Sequence, residues 1–273
     1  CMILKSDGAT LYATRDIASA MYRKKEYDFA KSLYVVAYQQ NLHFKQVFQV
    51  IELMGYDWAA DMEHVAFGMV SLEDGGTLST RRGNVLKLED VLHTSIRKAR
   101  EIMREKSAGL ENADEVAQQV GIGAVVFSVL HNARIKDISF SYDRVLSFDG
   151  ETGPYLQYTH VKCCSVLKKA PAAWRQETPD YSVLNNEFAV EVLRLLSTYP
   201  ASILNALDKN EPYLVTRHII DIAQAHNRYY DEERFIDEDN MPATTARLML
   251  NDAVRMVIKR GLGLLGIQAP ERM

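Results

Sequence analysis

The sequence predicts an α/β region followed by an all-α region. In the first ninety residues, strand-like and helical hydrophobic periods alternate, which is typical of a parallel α/β sheet. From about Val91 onward, apolar residues recur only at helical spacing, in long segments broken by Gly, Pro or clusters of Asp and Asn. Hydrophobic residues make up 47% of the 273, which is enough for a substantial core and excludes a disordered chain.

The α/β region begins with a helix and a strand. Residues 14–27, TRDIASAMYRKKEY, have the hydrophobic spacing of a helix. Its predicted apolar face consists of Ile17, Ala18, Met21 and Tyr22. Residues 32–38, SLYVVAY, are β-branched or apolar at successive positions, which predicts a short parallel strand buried on both faces.

A second helix and a second strand follow. Residues 41–55, NLHFKQVFQVIELMG, predict a helix with Asn41 as its N-cap and Gly55 at its C-terminal end. Residues 64–72, HVAFGMVSL, predict the second strand. Strand, helix and strand within about forty residues form a βαβ unit, so we expect the two strands to lie parallel in one sheet.

Five later segments predict the helices of a bundle. They are residues 91–106, 113–134, 184–207, 213–233 and 244–266, all with amphipathic spacing. The predicted apolar face of the last consists of Leu250, Val254, Val257, Ile258 and Leu262. We expect this helical half to fold by itself, because its apolar faces are sufficient for a separate core.

Net charge, cysteine content and the length of apolar runs limit the cellular compartments and the binding partners to be expected. A net charge of −4 gives no general nucleic-acid signature, although the basic residues 23–25 and 97–100 can contact phosphate. Cys1, Cys163 and Cys164 form no disulfide framework, which favours a reducing, cytoplasmic environment, and we interpret the vicinal pair as packing residues.

No run approaches the ~18 apolar residues of a membrane span, so we expect no membrane partner. The N-terminus lacks signal-peptide features and does not begin with Met, which suggests a piece of a longer chain.

The residues after the first predicted strand lie where a ligand would bind. In parallel α/β sheets, ligands bind beyond the carboxyl ends of the strands. Gln40 lies there with an amide that can donate and accept, and His43 falls in the first turn of the next helix. Helix N-termini favour phosphate, so the two residues form a candidate nucleotide site. The alternative is a polar loop with one half-buried histidine.

Tyr12 and Asp16 form a second candidate site. They are four residues apart and share one face if the helix includes both. A carboxylate pairs bidentately with a guanidinium, and a phenol adds a second contact, so the pair predicts a site for a planar cation. The alternative is that Asp16 only favours the helix N-terminus and that Tyr12 is a core residue.

A loop rich in hydrogen-bond donors follows the second predicted strand. Residues 75–84, GGTLSTRRGN, place small hydroxyl residues and two adjacent arginines between glycines. Such a loop can close around a triphosphate and stabilise the charge that develops on pyrophosphate. The alternative is a surface hairpin whose arginines face water.

Five motifs occur in order: DGATLYATRDIA, YVVAYQQNLHFKQ, HVAFGMV, LSTRRGN and GETGPYLQYTH. Together with the C-terminal APERM, they closely resemble arginyl-tRNA synthetase, a class I aminoacyl-tRNA synthetase. The resemblance extends over essentially all 273 residues and implies the C-terminal half of such an enzyme.

The resemblance implies a domain order and a reaction. Residues 1–90 would be the C-terminal part of a class I Rossmann-type catalytic domain, residues 91–150 a helical connecting region, and residues 151–273 a helical-bundle anticodon-binding domain. The implied substrates are L-arginine, ATP with Mg²⁺, and arginine tRNA, and the arginyl-adenylate is the intermediate. The resemblance implies a monomeric parent enzyme without a prosthetic group, and we expect no protein metal site.

The resemblance also assigns substrate contacts. Tyr12 and Asp16 match residues that bind the substrate arginine, with Asp16 as the partner of its guanidinium, and Gln40 matches a further contact to it. The expected ATP-binding residues are His43, Phe67, Gly68, Met69, Val70 and Thr77. Within this set, residues 67–70 resemble the strand end whose backbone recognises adenine.

The donor-rich loop matches the family's signature loop, which in its arginyl version is usually Lys-Met-Ser-Thr-Arg. The implied catalytic residues are Ser79, Thr80, Arg81 and Arg82. Thr77 stands where the signature has its lysine, and Leu78 stands where it has methionine. The second class signature, His-Ile-Gly-His, is absent from the 273 residues, so we expect the parent to be an enzyme and this chain to be inactive alone.

The helical half contains the implied contacts to tRNA. Tyr155 and Tyr158 match aromatic positions that face the anticodon loop, and Met273 lies near that loop in relatives. Bases that leave their stack gain about 1–3 kcal/mol each on aromatic rings. The alternative for two tyrosines three residues apart is a helix core stripe. We interpret the acidic residues 231–240 as a solvated loop and not as a metal site.

Two other functions stay open at this point. A non-catalytic, RNA-binding relative would fit Thr77 and the missing signature, but it would have no use for the arginine contacts Tyr12, Asp16 and Gln40. A generic nucleotide-binding α/β protein with a helical interaction domain would bind neither free arginine nor its tRNA.

Overall fold

The computed structural model describes residues 1–72, 87–106 and 112–273. The chain divides into two compact units. The first comprises Cys1–Met69 and Arg134–Asp137, and the second comprises Val70–Ala133 and Ile138–Met273. The domain boundaries expected at residues 90 and 150 stay predictions.

Helix α1 spans Tyr12–Tyr27 and starts two residues before the predicted segment, so it includes both members of the predicted tyrosine–aspartate pair. Its buried residues are Ala13, Ile17 and Ala20. They pack against helix α2, Asn41–Leu53. The predicted apolar face is wrong at Ala18 and Tyr22, which are exposed. The buried stripe runs through Ala13 and Ala20 instead, on either side of Ile17.

The first sheet has two parallel strands among the described residues. β1 spans Ser32–Ala37 and β2 spans Met62–Phe67, and they pair along their whole length. With α2 between them, they confirm the predicted βαβ unit. The prediction that β1 is buried on both faces is wrong, because Leu33 and Val35 are 46% and 64% exposed. Only the face that carries Tyr34 packs against α2, so the side chains that point the other way stay exposed.

The two ends of α2 differ in how they compare with the prediction. A 3-10 turn, Tyr38–Gln40, leads directly into the helix, so Asn41 has helical torsions (φ −52°, ψ −48°) and is not the predicted N-cap. At the other end, Gly55 has a φ of +86°, and its N–H donates to the Glu52 carbonyl at 2.9 Å. A left-handed glycine therefore ends the helix, as predicted.

The predicted second strand is two strands. β2 ends at Phe67, and β3, Val70–Leu72, pairs in parallel with β4, Ile138–Phe140, in a second sheet. Gly68 explains the break, because its N–H donates to the Arg134 carbonyl at 2.7 Å instead of continuing the ladder. A side chain at Gly68 would place its Cβ 2.2 Å from the Lys136 carbonyl oxygen. Strand β4 was not predicted, since it has only three residues in a stretch of otherwise helical pattern.

The second unit contains a helical bundle. Its described helices are α3 (Leu88–Lys106), α4 (Ala113–Leu130), α5 (Tyr142–Val145), α6 (Gly153–Lys169), α7 (Glu187–Lys209), α8 (Tyr213–Glu232) and α9 (Met241–Leu264). Helix α3 packs against α4, α7 packs against α8, and α9 packs against both α6 and α8. The predicted apolar face of α9 is confirmed. Its residues Leu250, Val254, Ile258 and Leu262 are buried, and Val257 is partly buried against the same core.

Helix α4 is long and apolar enough to cross a membrane, judged by length and composition alone. The segment is not an uninterrupted apolar run, because Asp114, Glu115 and two glutamines lie within it. Within the structure, 44% of the segment is buried, and α4 packs against α3 and α6. At Gly121, an added Cβ would lie 2.6 Å from the Ile96 Cα. Such close contacts to neighbouring helices are typical of the core helix of a bundle.

Candidate functional site

Asp16 and His43 meet between α1 and α2 in the first unit. Nε2 of His43 lies 2.6 Å from Oδ2 of Asp16. Because a carboxylate only accepts hydrogen bonds, Nε2 carries the proton and donates it. Tyr12 lies one helical turn before Asp16 and is 80% exposed. The structure thus pairs a carboxylate with an imidazole and has an exposed phenol one turn earlier on the same helix, and it excludes the alternative that Tyr12 is a core residue.

Gln40 lies beside this group in the sequence, at the last position of the 3-10 turn that follows β1. Its side chain is exposed. None of the described side chains caps the N-terminus of α2, where His43 is the third residue. That helix end keeps the electrostatic preference for an anion that the sequence predicted. His43 is also half-buried, as the alternative of a polar loop with one half-buried histidine expected. Its position is therefore compatible both with that alternative and with a nucleotide site.

The end of β2 carries the residues expected to recognise adenine. Phe67 and Met69 are each 39% exposed. The N–H of Gly68 donates to the Arg134 carbonyl, and the N–H of Met69 donates to Oδ1 of Asp137, both at 2.7 Å. These two N–H groups are already bonded within the first unit.

The other predicted nucleotide contacts belong to the second unit or lie outside the described residues. Val70 begins β3 in the second unit, where it is partly buried against the core of α3 and α4. The residues of the signature loop lie outside the described part of the chain: Thr77, Ser79, Thr80, Arg81 and Arg82.

Tyr155 begins a series of polar contacts between α6 and α8. The hydroxyl of Thr152 caps α6 by accepting the Tyr155 N–H at 3.1 Å. The Tyr155 hydroxyl accepts Nδ2–H of Asn227 at 2.8 Å, and Oδ1 of Asn227 accepts from Lys162 Nζ at 3.0 Å. The Lys162 ammonium lies 4.7 Å from the centre of the Tyr230 ring, which is a cation–π distance. Burial raises the pKa of Tyr155, so its hydroxyl stays neutral at physiological pH.

A pocket of about 390 Å³ opens beside Lys162. Its lining residues are Lys162, Ser165, Val166, Lys169, Tyr230, Glu233, Arg234, Phe235 and Ile236. The Glu233 carboxylate pairs with Arg247 at 3.1 Å, so its charge is compensated. Three cations and two aromatic rings in one pocket suit an anionic ligand with a planar group. No sequence pattern indicated this pocket, although Lys162 and Lys169 lie two turns apart on the helix that carries Tyr155.

Tyr158 and Met273 lie in different surroundings from Tyr155. Tyr158 is 46% exposed, and its ring meets Phe148 edge-on, with 6.4 Å between the ring centres. Met273 packs against the cluster of α3 and α4, whereas Tyr155 packs against the main core of the bundle. The alternative that both tyrosines belong to a buried stripe of the helix is thus partly correct for Tyr155, which is partly buried, and wrong for Tyr158, which is exposed.

Two buried side chains of α6 fix the path of the C-terminal tail. Nδ1–H of His160 donates to the Pro270 carbonyl, and Nε2–H of Gln157 donates to the Gln268 carbonyl, both at 2.8 Å. The bond to Pro270 shows that His160 carries a proton on Nδ1. These two bonds hold the chain a few residues before Met273 against α6. They join distant parts of the chain, and no sequence pattern indicated them.

The two basic segments named as phosphate contacts pair within the protein. Their ion pairs are Lys24–Asp28, Arg97–Glu101, Lys98–Asp143 and Arg100–Asp114. The Arg23 guanidinium lies 5.4 Å from the centre of the Tyr34 ring. Much of the positive charge in these segments is compensated locally, so the pocket beside Lys162 is the stronger candidate for a phosphate contact.

The vicinal cysteines are both buried in the bundle, as packing residues would be. Sγ of Cys163 lies 3.8 Å from Nε2 of His226. Burial raises the pKa of the Cys163 thiol, which keeps it protonated and unreactive.

Comparison with known families supports the two-part organisation. Residues 1–142 match the family described as tRNA synthetases class I (R), catalytic domain. Residues 156–273 match the DALR anticodon binding domain. The chain belongs to the class I arginyl-tRNA synthetase family. The resemblance given by the sequence motifs and the predicted order of an α/β part before an all-α part are both confirmed.

Individual arginyl-tRNA synthetases show the extent of the match. The chain is 54% identical over 272 residues to the arginine–tRNA ligase of Clostridioides difficile (strain 630), covering 100% of the chain and 48% of that ligase. It is also 54% identical to the ligase of Halothermothrix orenii, with the same coverage. The solved arginyl-tRNA synthetase of Thermus thermophilus superposes with a TM-score of 0.89 at 27% identity, over 99% of this chain and 50% of that one. The chain spans about half the length of the curated relatives it matches.

Proposed function

We propose that the natural protein activates L-arginine with ATP and transfers it to the 3′ end of arginine tRNA. In this proposal, the first unit supplies part of the arginine and ATP site, and the helical bundle binds the anticodon arm. The observation that carries the proposal is the group formed by Tyr12, Asp16 and His43, since an exposed phenol and carboxylate on one helix face suit a guanidinium. The relatives named above support the choice of arginine and its tRNA.

The proposed reaction has two steps. The carboxylate of arginine attacks the α-phosphate of ATP, which forms arginyl-adenylate and releases pyrophosphate. A hydroxyl of the terminal ribose of the tRNA then attacks the adenylate carbonyl, which forms the ester and releases AMP. Asp16, Tyr12 and Gln40 orient the arginine, and the loop with Ser79–Arg82 stabilises charge on the leaving pyrophosphate. Mg²⁺ enters with ATP as part of that substrate.

The pocket beside Lys162 supports the tRNA part of the proposal. A nucleotide of the anticodon arm offers both a phosphate and a planar base. Lys162 and Arg234 would neutralise the phosphate, and Tyr230 would stack with the base. Tyr155 is joined to this pocket through Asn227, so the tyrosine expected at the anticodon and the pocket form one surface.

Several finer statements are part of the same proposal. We place the catalytic part at residues 1–90, the connecting region at residues 91–150 and the anticodon-binding part at residues 151–273. We expect the protein to act as a monomer in the cytoplasm. Tyr158 and Met273 are proposed to contact the anticodon loop, and His43, residues 67–70 and Thr77 are proposed to line the ATP site.

The test is arginine-dependent exchange between ATP and pyrophosphate, measured on the natural full-length protein with its tRNA. Citrulline is the matched amino acid, because it has the length of arginine but a neutral urea group. We expect exchange with arginine and none with citrulline, since the Asp16 carboxylate selects a cation. Equal exchange with citrulline, or none with arginine, would refute the proposal.

Asp16→Asn tests the residue that carries the proposal. Removing the charge from a paired carboxylate costs about 2–5 kcal/mol in binding, and the partial exposure of Asp16 argues for the lower end. We expect arginine affinity to fall by roughly 30-fold or more while ATP affinity is nearly unchanged. Glu26→Gln is the control, because it removes an exposed carboxylate near the other end of α1. Unaltered arginine affinity by calorimetry would contradict the assignment.

A second candidate function is a non-catalytic RNA-binding protein of the same family. Thr77 favours it, because this residue replaces the lysine of the signature loop. Tight binding of arginine tRNA by the natural full-length protein, without any arginine-dependent exchange, would support this second function over the first.

A further inference from the structure

The contact between Asp16 and His43 joins two residues to which the sequence assigns different substrates. Asp16 is expected to bind the guanidinium of arginine, and His43 is expected to bind ATP. In the structure, Nε2 of His43 lies 2.6 Å from Oδ2 of Asp16. The two side chains are 24% and 38% exposed, respectively, so the pair is half-buried and still reachable by a ligand.

The packing of α1 and α2 fixes this contact. Asp16 precedes Ile17, which is buried in α1, and His43 precedes Phe44, which is buried in α2. The imidazole also meets the Phe44 ring edge-on, with 5.2 Å between the ring centres and 75° between the ring planes. The Phe44 ring in turn packs against Tyr34 of β1. The histidine ring is therefore packed against a residue of the core.

The donor and acceptor roles of the pair follow from elementary chemistry. An ionised carboxylate offers about four acceptor sites on its two oxygens. The Nε2–H of His43 occupies one of the sites on Oδ2, so the remaining sites are available to a ligand. The bond also restricts the rotation of the carboxylate before any ligand arrives. Ordering a binding group in advance removes an entropic cost from the binding step.

We propose that His43 is a positioning residue for Asp16. By donating Nε2–H to Oδ2, His43 holds the carboxylate in the orientation that receives the guanidinium of arginine. This inference rests on the proposed function, since it takes arginine as the substrate. It also limits the expected role of His43 toward ATP, because Nε2 is engaged and only Nδ1 and the backbone N–H remain.

Two conservative variants separate a positioning role from a general packing role. The side-chain nitrogen of glutamine reaches about the position of Nε2, whereas that of asparagine reaches about the position of Nδ1. His43→Gln therefore keeps the donor toward Asp16, and His43→Asn loses it, although both variants are polar and neutral. A group that only fills space would not distinguish the two variants in this way.

The experiment measures arginine and ATP affinity separately in the natural full-length protein. We expect His43→Asn to weaken arginine binding by about 10- to 100-fold, the range typical of residues that orient a binding group in metal sites. We expect His43→Gln to stay within about threefold of the wild type, and ATP affinity to stay within about twofold in both variants. When each is combined with Asp16→Asn, His43→Gln and His43→Asn should give the same arginine affinity, because the carboxylate that the histidine orients is no longer there.

The outcomes of this experiment are distinguishable from a failure of the proposed function. If the wild type binds no arginine, the proposed function is wrong, and the positioning role falls with it. If the wild type binds arginine and His43→Asn and His43→Gln bind it equally well, only the positioning role is wrong. A weaker affinity for ATP with unchanged arginine affinity in His43→Asn would assign the histidine to the nucleotide instead.

A second measurement uses the chain by itself and needs no substrate. In ¹⁵N-labelled protein, the proton on Nε2 of His43 should resonate downfield, as a proton in a short, charge-assisted hydrogen bond does. The resonance is assigned by its absence in His43→Gln. In Asp16→Asn it should move upfield, while Glu26→Gln should leave it unchanged. A resonance that Asp16→Asn does not shift would show that the pair does not form, which would overturn the inference.

Discussion

His226 is fully buried in the bundle and is bonded as a neutral ring. Its Nε2–H donates to Oδ1 of Asn251 at 3.0 Å, and Nδ2–H of Asn251 donates to the Cys163 carbonyl at 3.1 Å. Burial lowers the pKa of His226 to about 4. Because this folded-state pKa lies below the unfolded value near 6.5, acid protonates the unfolded chain first. The buried ring thus makes the stability of the bundle depend on pH.

At the residue scale, we expect the free energy of unfolding to be greatest above about pH 6.5 and to fall as the pH drops toward 4. At pH ~5, the contribution lost through His226 is about 2 kcal/mol. His226→Gln keeps a donor toward Asn251 but has no titrating group, so it should reduce the pH dependence. Burial also lowers the pKa of His160, so part of the dependence should persist.

The measurement is urea denaturation near pH ~7.5 and pH ~5, for the wild type and for His226→Gln. His93→Gln is the control, because His93 is an exposed histidine on α3. A loss of stability in acid that is the same in all three proteins would contradict the prediction.

At the scale of elements, Gly68 decides where the first sheet ends. Its N–H bonds to Arg134, and the segment Arg134–Asp137 lies so close that no side chain fits at residue 68. The chain leaves the β1–β2 ladder at this point, and β3 pairs with β4 instead. A glycine within a strand pattern often marks such a close approach of another backbone.

Gly68→Ala should therefore disturb the contact with residues 134–137. We expect a loss of about 1–3 kcal/mol, the usual cost of overpacking, because the Lys136 carbonyl cannot move like a flexible side chain. Amide hydrogen exchange at residues 68 and 69 should become faster. Gly263→Ala in α9 is the matched control, because its Cβ would meet nothing within 4 Å and should be neutral or stabilising. Unchanged exchange at residue 68 would show that the contact adapts freely.

The pairing of α6 with α8 produces the cationic pocket. Lys162 lines this pocket, donates a hydrogen bond to Asn227 and lies at a cation–π distance from the Tyr230 ring. Lys162→Met keeps the length of the side chain and removes its charge. We expect the affinity of the natural full-length protein for arginine tRNA to fall, and the slope of log K against log salt to decrease in magnitude by about one.

Lys209→Met provides the control for this variant, because Lys209 is an exposed lysine at the end of α7, outside the pocket. Filter binding over a range of salt concentrations gives both the affinity and the slope. If Lys162→Met and Lys209→Met have the same salt slope, the pocket does not contact a phosphate.

At the scale of the whole molecule, the main core of the bundle extends beyond the expected anticodon-binding part. Phe127 of α4 is buried in the same hydrophobic cluster as residues of α6 to α9. Gly153 lies so close to α4 that an added Cβ would be 2.8 Å from the Gly123 carbonyl oxygen. Gln157 also donates to the Gln119 carbonyl at 3.1 Å. The core of the anticodon-binding part expected at residues 151–273 therefore includes α4.

We expect a polypeptide of residues 88–273 to fold cooperatively, and one of residues 151–273 to be markedly less stable. Removing α4 exposes part of the core and leaves the amide of Gln157 without one of its acceptors, which costs free energy in a buried setting. Circular dichroism during urea denaturation, with matched protein concentrations, compares the two. Equal denaturation midpoints would show that α4 is dispensable for the bundle.

Sequence alone determined the features that depend on neighbours within a few turns of the chain. The helical period placed α1, α2 and the buried face of α9, and Gly55 ended α2 as its left-handed conformation requires. The alternation of strand and helix was sufficient for the parallel pairing of β1 with β2. The five motifs and their order were sufficient to identify the family. All of these follow from local backbone preferences and from the period with which apolar residues recur.

Only the tertiary structure decided the contacts between residues far apart in the chain. It placed His43 on Asp16, Arg134 on Gly68, and α8 beside Lys162, and it left one face of β1 exposed. Each of these depends on which helix packs against which, and a periodic pattern states only that a face is buried, not what covers it. The chemistry of the candidate sites comes from such long-range pairs, because packing brings a donor and an acceptor within hydrogen-bonding distance irrespective of their separation in the sequence.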